Sequence, residues 1–401
     1  MNNKQVAGLK ILVLGLRGMP NVPGGVETHV SELYPRVSAL GARVTVIGRS
    51  PYRPADSPST WKGVAVCWLW SPRLEGVEAL VHTFLGVLQA AVRRPDVLHI
   101  HAVGPWLMAP LARFLGLKVV VTHHGQDYLR EKWNAPARAI LRVGERLGVN
   151  WANETIVISR GIQEVVRARY GRLSTLIPNG VGTLAALTGQ GHVAKHGLTP
   201  YRYIIQVSRL VPEKRQLDLI AAFNAANLPG WKLLLVGGAQ GSQTYANRVL
   251  QASAGNADIV HTGFLPPAAV HELLAHAGVF VLPSSHEGLP ISLLEAMKLG
   301  TPALASDIPA NLETELDQNC YFKVGDVQTL TTRIRELAQL SPESREIMAQ
   351  RLRNSCVRYD WDLIAESTLK VLERAAGKSR AYAENLRDRR VPPRLGESYR
   401  R

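Results

Sequence analysis

Two glutamates, Glu287 and Glu295, lie eight positions apart in 284-SSHEGLPISLLEAMKLGTP-302, and both could contact one phosphorylated ligand. Pro290 and Gly300 are typical of a helix start and a helix end, so a helix is predicted from about Pro290 to Lys298. The free backbone N–H groups at its start favour an anion. Glu295 would lie roughly 7–8 Å along the helix axis, which suits a ribose whose phosphate rests on the helix start. Glu287 would then face a sugar on the other side of that phosphate.

Two cations in 208-SRLVPEKRQLDL-219 could neutralise a diphosphate. Arg209 lies in the loop after a predicted strand, and Lys214 stands shortly before the next predicted helix. Arginine offers a planar fork that matches phosphate oxygens, and lysine offers a mobile point charge. Each charge-assisted contact is typically worth about 1.5–3 kcal/mol. The alternative interpretation is a pair of exposed loop cations.

A glycine loop follows the first predicted strand, in 18-GMPNVPGGVETHVSEL-33. Gly24 and Gly25 precede a helix predicted to begin near Val26. This arrangement lets the backbone approach phosphate or sugar oxygens closely. A simple tight turn is the alternative explanation.

The length and composition of the chain indicate its number of domains and the class of its partners. A chain of 401 residues with 46% hydrophobic content is long enough for two domains. Its net charge of +15 favours anionic partners such as nucleotides, nucleic acid or acidic lipid. Its three cysteines form no CxxC pair, which argues against a disulfide framework and a zinc cage and fits a reducing cytoplasm. No apolar run reaches 18 residues, so we expect any membrane contact to be at the surface.

Short apolar runs alternate with helix-like segments along both halves of the chain. Continuous β-branched runs separated by helices indicate parallel strands covered on both faces. The predicted strands are residues 10–15, 43–48, 97–101, 118–123 and 155–159, then residues 202–208, 232–237, 258–263 and 278–283. We therefore predict an α/β fold with two Rossmann-like, doubly wound sheets. Since open sheets of this kind bind ligands at the carboxyl ends of their strands, we expect a site in the cleft between them.

The glycine loop, the cationic loop and the paired glutamates, in this order and spacing, resemble retaining glycosyltransferases of family 4, which have the GT-B fold. The elements that carry the resemblance are 24-GGVE-27, 122-THHGQDYLREKW-133, 208-SRLVPEK-214 and the E-x7-E pair of Glu287 and Glu295. The G-x-R-G segment near residues 15–18 and the Lys132–Trp133 pair are similar to a subgroup of bacterial polysaccharide-assembly enzymes described as rhamnosyl- or galactosyltransferases.

The resemblance implies a domain organisation. We predict an N-terminal acceptor domain over residues 1–185, with a C-terminal helix at about 362–376 packing back on it. Residues 186–200 would be a linker, residues 201–361 the domain that binds the nucleotide-sugar donor, and residues 377–401 a basic tail.

The resemblance also implies a role for each matching residue. Glu295 would hold the nucleotide ribose and Glu287 the donor sugar hydroxyls. Arg209 and Lys214 would stabilise the leaving diphosphate. The backbone around the donor would come from Gly24, Gly25, Gly288, Leu289, Pro290 and Ile291, and that beside the base from Gly263, Phe264 and Leu265.

His124, in the segment T-x-H-G-x-D, would lie under the anomeric centre, with Asp127 nearby. Its neighbour His123 leaves open that one or both histidines serve the structure only. The sequence departs from the family's motif at 214-KRQ-216, which lacks the glycine that often follows this lysine. We therefore expect a tighter or displaced loop.

We expect no metal and no cofactor besides the nucleotide sugar, which is a substrate. His99 and His101 share one strand face, but two imidazoles without a carboxylate do not make a metal site. The triplet 360-DWD-362 imitates a metal-binding motif. It directly precedes an apolar-periodic helix, so we assign Asp360 to helix capping.

Arg138, Arg142 and Arg146 follow one another at intervals of four residues and would form one basic helix face beside Trp133. That face could dock on anionic lipid headgroups, and the alternative is a solvated face. We therefore expect a cytoplasmic protein that can associate with the inner membrane surface.

The predicted reaction is transfer of a hexose from a nucleoside-diphosphate sugar to a glycan or lipid-linked acceptor, with retention, in bacterial polysaccharide synthesis. A glycosidase also uses two carboxylates, but its acids flank the scissile bond, and a phosphorylated leaving group needs no general acid. A sugar-nucleotide epimerase of similar fold is the alternative enzyme. A nucleic-acid-binding protein is the alternative from another class, and with only 6% aromatic residues we expect no nucleic-acid partner.

Overall fold

The computed structural model describes residues 8–74, 76–182, 189–239 and 243–378. They form two β-sheets, each covered by helices on both faces. Residues 183–188 of the predicted linker and residues 379–401 of the predicted basic tail lie outside the described residues. The predicted α/β fold with two parallel sheets is confirmed.

The first sheet has eight strands in the order β3-β4-β2-β1-β5-β6-β7-β8, and all its pairings are parallel except β3 with β4. The strands are β1 (Lys10–Leu14), β2 (Arg43–Arg49), β3 (Thr60–Trp61), β4 (Val64–Leu69), β5 (Val97–His101), β6 (Val119–His123), β7 (Glu154–Val157) and β8 (Thr175–Leu176). The intervening helices are α1 (Gly25–Ala39), α2 (Val77–Arg93), α3 (Ala109–Phe114), α4 (Ala135–Trp151) and α5 (Arg160–Tyr170).

Alternation along β1 divides the core of this domain in two. Leu12 and Leu14 pack on the side that α2, α3 and α4 cover. Ile11 and Val13 pack on the other side, against α1 and the last helix, α14 (Trp361–Ala376). A strand turns successive side chains to opposite faces, so a continuous apolar run requires a helical layer on each side.

The second sheet has six strands, all paired in parallel, in the order β11-β10-β9-β12-β13-β14. The strands are β9 (Tyr203–Val207), β10 (Lys232–Val236), β11 (Ile259–Gly263), β12 (Val279–Leu282), β13 (Ala303–Ser306) and β14 (Tyr321–Phe322). The helices are α6 (Gly191–Lys195), α7 (Gln216–Ala226), α8 (Gln243–Ser253), α9 (Pro267–Ala275), α10 (Ile291–Leu299), α11 (Pro309–Leu312), α12 (Val327–Ala338) and α13 (Pro342–Ser355).

One element differs from the sequence-based expectation. Helix α6 lies inside the predicted linker, yet the backbone N–H groups of His192 and Val193 in its first turn donate to the Glu272 carboxylate of α9. That end of the linker therefore belongs to the second domain.

Among the described residues, none of the helices has the length and hydropathy needed to cross a bilayer.

Candidate functional site

The start of α10 lies one residue later than predicted. Pro290 has extended backbone angles and caps the helix, and the first helical residue is Ile291. At the other end, Gly300 adopts the left-handed conformation and its N–H bonds the Met297 carbonyl. A helix with a free first turn and a glycine stop presents its N–H groups at the cleft.

Glu295 is a half-buried residue on α10, and it has a partner that the sequence did not indicate. Its Oε1 lies 3.2 Å from Nε2 of His271 on α9. No motif surrounds His271, so only the packing of α9 against α10 reveals the pair.

A cavity at the junction of the two domains collects most of the predicted charged residues. It is lined by His124, Gly125 and Arg130 from the first domain and by Arg209, Glu213, Lys214, His286, Glu287 and Gly288 from the second. Four of these, Gly125, Arg130, Glu213 and His286, were not predicted as site residues. Gly125, Glu213 and His286 each adjoin a predicted site residue in the sequence. Arg130 lies three residues after Asp127, so proximity in the sequence was the available signal.

Lys214 and Glu287 form an ion pair inside this cavity, and both side chains are largely buried. Arg209 makes a looser contact, with Nη2 4.0 Å from the carboxylate of Glu213. The two predicted phosphate-binding cations therefore each face a carboxylate. An anion entering the cavity would compete with Glu287 for the ammonium group.

Further cations surround Arg209. Arg130, which bonds Asp127 at 2.9 Å, brings a guanidinium from the first domain into the same cavity. Burial, followed by the charge of Arg130, lowers the pKa of Arg209. Burial and the same arginine also lower the pKa of His286. The cavity lining therefore carries three cations and two carboxylates, a positive balance in a largely buried space where electrostatic attraction for an anion is strong.

His124 meets the second domain through its backbone. A Cβ added to Gly288 would stand 2.0 Å from the His124 carbonyl oxygen, so only glycine fits at this position. Asn179, from the segment that leaves the first domain, donates from Nδ2 to the Leu289 carbonyl at 2.7 Å. These contacts fix the start of α10 against the first domain.

The imidazole of His124 ends a buried chain of hydrogen bonds. Its Nε2 lies 2.8 Å from His101 Nδ1, and His101 Nε2 lies 2.9 Å from the Tyr34 hydroxyl. That hydroxyl is 2.7 Å from His99 Nδ1, and His99 Nε2 is 2.7 Å from Thr122 Oγ1. A neutral imidazole has one donor and one acceptor nitrogen, so the two bonds of His101 run in the same direction, as do the two bonds of His99. The tautomer of His124 is therefore coupled to that of His101.

Burial keeps these histidines neutral. It lowers the pKa of His99 to about 3, and it holds those of His101 and His124 well below the ordinary value, helped by the neighbouring histidines. His29 completes the group, and burial lowers its pKa to about 4.

Three of these imidazoles, His29, His101 and His124, offer nitrogen atoms that lie within 4.8 Å of one another. Neutral imidazoles at this separation could hold a transition metal. However, His101 and His124 already bond each other, and His29 Nδ1 is 3.0 Å from Asn179 Oδ1. The predicted pair of His99 and His101 stacks with ring centroids 4.4 Å apart, and the three-member group contains only His101 of that pair.

His123 has the structural role that the sequence left open for either histidine. It is fully buried, and its Nε2 donates to Glu145 at 2.8 Å while its Nδ1 accepts the Gly125 N–H at 3.2 Å. Burial alone would raise the pKa of Glu145, but the bonds from His123 and Tyr170 lower it. His123 thus positions the loop that carries His124.

The glycine loop surrounds a buried ion pair. Arg17 Nε bonds Glu27 Oε1 at 3.0 Å, and a Cβ on Gly24 would lie 2.0 Å from the same carboxylate. Gly25 has open space where a side chain would be. The charge of Arg17 also contributes to the lowered pKa of Arg209, one of the residues that line the cavity.

The residues predicted beside the base lie at the end of β11, outside the set that lines the cavity. Gly263 has a φ of +68°, and Phe264 is exposed with its ring against Gly238. Leu265 is half-buried. The assignment of Asp360 to helix capping is confirmed, because its side chain accepts the N–H groups of Asp362 and Leu363.

Comparison with known proteins matches both halves of the chain to family models. Residues 23–183 match the model described as Glycosyltransferase Family 4, and residues 192–355 match that described as Glycosyl transferases group 1. The α-maltose-1-phosphate synthase of Mycolicibacterium smegmatis is 27% identical over 89% of this chain and 97% of its own length.

Solved structures agree on the fold. The sucrose-phosphate synthase of Thermosynechococcus elongatus superposes with a TM-score of 0.78 at 19% identity, covering 93% of this chain and 100% of its own. Anabaena HepE in complex with UDP-glucose gives 0.74 at 20% identity, covering 91% and 99%. The two family matches, in this order on two parallel-sheet domains, show that the chain belongs to the GT-B glycosyltransferases of the family 4 and group 1 type.

Proposed function

We propose that the protein transfers a hexose from a nucleoside-diphosphate sugar to a glycan or lipid-linked acceptor, with retention of anomeric configuration, in the synthesis of a bacterial polysaccharide. The observation that carries this proposal is the convergence of Arg130, Arg209 and Lys214 with Gly288 in one cavity. Such a set of charges suits a diphosphate, and the relative HepE was solved with UDP-glucose. The polysaccharide role rests on the motif resemblance.

In the proposed reaction, the bond between the anomeric carbon and the phosphate oxygen breaks, and the acceptor oxygen bonds the same face of that carbon. The diphosphate leaves with the electron pair and takes the acceptor's proton. Lys214 and Arg209 stabilise the charge that develops on it, as preorganised charges do in a buried site. Glu287, released by Lys214, accepts hydrogen bonds from the donor sugar, and Glu295 holds the ribose.

The arrangement favours transfer over hydrolysis by paired acids. In a glycosidase one carboxyl must be protonated or free to attack. Here Glu287 pairs with Lys214, and Glu213 faces Arg209. The groups that adjoin the cavity are better suited to neutralising a leaving phosphate than to donating a proton.

We propose that the reaction needs no metal, since side-chain cations supply the charge that a metal ion would otherwise bring. Dialysis against a strong chelator should then leave the transfer rate unchanged. Loss of activity that added Zn²⁺ or Mg²⁺ restores would contradict this part of the proposal and would direct attention to His29, His101 and His124.

A donor panel tests the function. Hexoses carried by UDP, GDP, dTDP and ADP are incubated with the protein and a glycan acceptor, and the released nucleoside diphosphate is measured. The anomeric configuration of the product, read by NMR, should match that of the donor. A sugar-nucleotide epimerase would change the sugar without releasing diphosphate, and that result would replace the present proposal.

A further inference from the structure

Helix α2 exposes a stripe of apolar side chains. Val77, Leu80, Phe84, Leu88 and Val92 are all exposed, and Val92 is 85% accessible. Spacings of three and four residues place them on one side of the helix, and that side faces away from the core. Single apolar residues are ordinary on a protein surface, whereas a contiguous stripe indicates an interaction site.

The stripe continues onto the neighbouring helices. Because α2, α3 and α4 form one layer over the same face of the first sheet, their outer sides point in the same direction. Phe114 at the end of α3 is 87% exposed, and Ile140 and Val143 are exposed on α4. Trp70 and Leu74, shortly before α2, are exposed as well. The apolar surface therefore spans three helices.

The outward charge of this layer is entirely positive. Its three helices, all described by the structure, contain only two acids. Glu78 bonds Arg49 at 2.8 Å, and Glu145 is fully buried. The basic residues of the layer are Arg93, Arg113, Arg138, Arg142 and Arg146, of which Arg93, Arg142 and Arg146 are exposed.

We propose that the layer of α2, α3 and α4 docks on an anionic lipid bilayer. The apolar stripe would enter the boundary between headgroups and acyl chains, and the arginines would lie at lipid phosphates. The basic face predicted from sequence alone is only part of this surface, because Arg138 is half-buried and Arg142 lies over the Tyr128 ring at 5.3 Å. Helix α2 supplies the apolar area that was missing from that prediction.

The positive charge favours a bilayer over a second copy of the chain. A two-fold dimer through this surface would bring the same arginines from both copies together, and like charges repel across an interface. An anionic membrane reverses the sign of that interaction. Acidic phospholipids attract basic residues at the surface by about fivefold in affinity per arginine.

The docking surface reaches the cleft. Helices α2 and α4 begin just beyond the carboxyl ends of β4 and β6, and their starts are close, since a Cβ on Gly76 would lie 3.8 Å from the Trp133 ring. A bilayer on this surface would therefore border the opening of the site. Delivery of a lipid-linked acceptor along this route rests on the proposed function, whereas the docking itself does not.

Vesicle flotation of the full chain tests the docking. We expect the protein to float with phosphatidylcholine vesicles containing about a third phosphatidylglycerol, and at least about tenfold less with phosphatidylcholine alone. High salt should weaken the binding, because exposed charges are screened. The double variant Val92→Asp, Phe114→Asp should lose at least about tenfold in affinity, since each charge would enter the apolar boundary. Both side chains are almost fully exposed, so an unchanged melting temperature is expected.

Leu363→Asp is the matched control, because Leu363 is exposed on α14, in the layer on the opposite face of the sheet. It should bind vesicles like the unaltered chain. The double variant Arg142→Gln, Arg146→Gln should lose about fivefold per arginine on anionic vesicles and nothing on neutral ones. Equal flotation of the aspartate variant, or no flotation of the unaltered chain, would overturn the proposal. A dimer by light scattering that the aspartate variant converts to monomer would also overturn it. Vesicle flotation does not depend on nucleotide binding, so it still tests the docking if the transfer assay fails.

Discussion

The Cα of Gly288 lies against the backbone carbonyl of His124, so close that a Cβ on residue 288 would stand 2.0 Å from that oxygen. One residue belongs to the segment that enters α10 and the other to the loop after β6. This contact joins the candidate diphosphate site of the second domain to the candidate anomeric site of the first. The separation between the two sites therefore depends on residue 288 being a glycine, which has no side chain.

Replacing Gly288 by alanine should lower kcat/KM by at least about 100-fold, because a shift near 1 Å between reacting groups has an effect of this size. Steady-state kinetics with the best donor measure the effect. Gly191→Ala is the matched control, since an added Cβ there meets no atom within 4 Å. Full activity of the Gly288 variant would show that the close approach does not serve the reaction.

Glu287→Gln should lower kcat by about 100-fold while the nucleoside diphosphate binds as tightly as before or more tightly. The reason is that Lys214 loses its carboxylate partner and becomes fully available to a phosphate, while the sugar loses a charged acceptor. Kinetics and calorimetry on the same preparation separate the two effects. Glu366→Gln, an exposed change of equal charge on α14, should alter neither quantity.

Tyr34→Phe should lower the free energy of unfolding by about 1–3 kcal/mol, because two buried imidazole nitrogens lose their common partner. It should also lower kcat more than it changes KM, since His101 would no longer be held against His124. Urea unfolding and kinetics measure the two parts. Tyr203→Phe removes another buried hydroxyl bond, to the Leu273 carbonyl, and should destabilise the protein without changing kcat. The same kcat loss in both variants would contradict a specific role of the chain of hydrogen bonds.

Acid should destabilise the protein well above the pH at which carboxylates titrate. Burial lowers the pKa of His29 and His82 to about 4 and that of His99 to about 3, so the unfolded chain binds protons at these groups before the folded chain does. The stability they contribute is complete above the unfolded pKa near 6.5 and is lost as the pH falls toward 4. Each buried histidine should lower the free energy of unfolding by about 2 kcal/mol when the pH falls from 7 to 5. Equal urea midpoints at the two pH values would contradict this assignment.

The sequence indicated the sheets well because their signal is local. The short apolar run of 10-KILVLG-15, bounded by Lys10 and Gly15, indicated a buried strand, and β1 ends within one residue of that expectation. The short edge strands β3 and β8, with two residues each, have too few positions to show a pattern. Helix α6 was assigned to the linker because five residues give no clear helical period.

The site was predictable where a motif carried it and hidden where tertiary packing did. Arg209, Lys214 and Glu287 were found by spacing and converge on one cavity. His271 meets Glu295 only because α9 packs beside α10, and no sequence pattern reports that contact. The group of His29, His101 and His124 draws on α1, β5 and the loop after β6, which come together only in the folded domain.

The central claim is that Arg209 and Lys214, together with the start of α10, hold the diphosphate of the donor. Calorimetry with the best nucleoside diphosphate and its monophosphate tests it in the unaltered chain and in Arg209→Ala and Lys214→Ala. Each alanine variant should bind the diphosphate about 10- to 100-fold more weakly, in line with about 1.5–3 kcal/mol per charge-assisted contact. Affinity for the monophosphate should change far less, and the exposed control Lys323→Ala should alter neither. Unchanged diphosphate affinity in both variants, or an equal loss for the two nucleotides, would contradict the account.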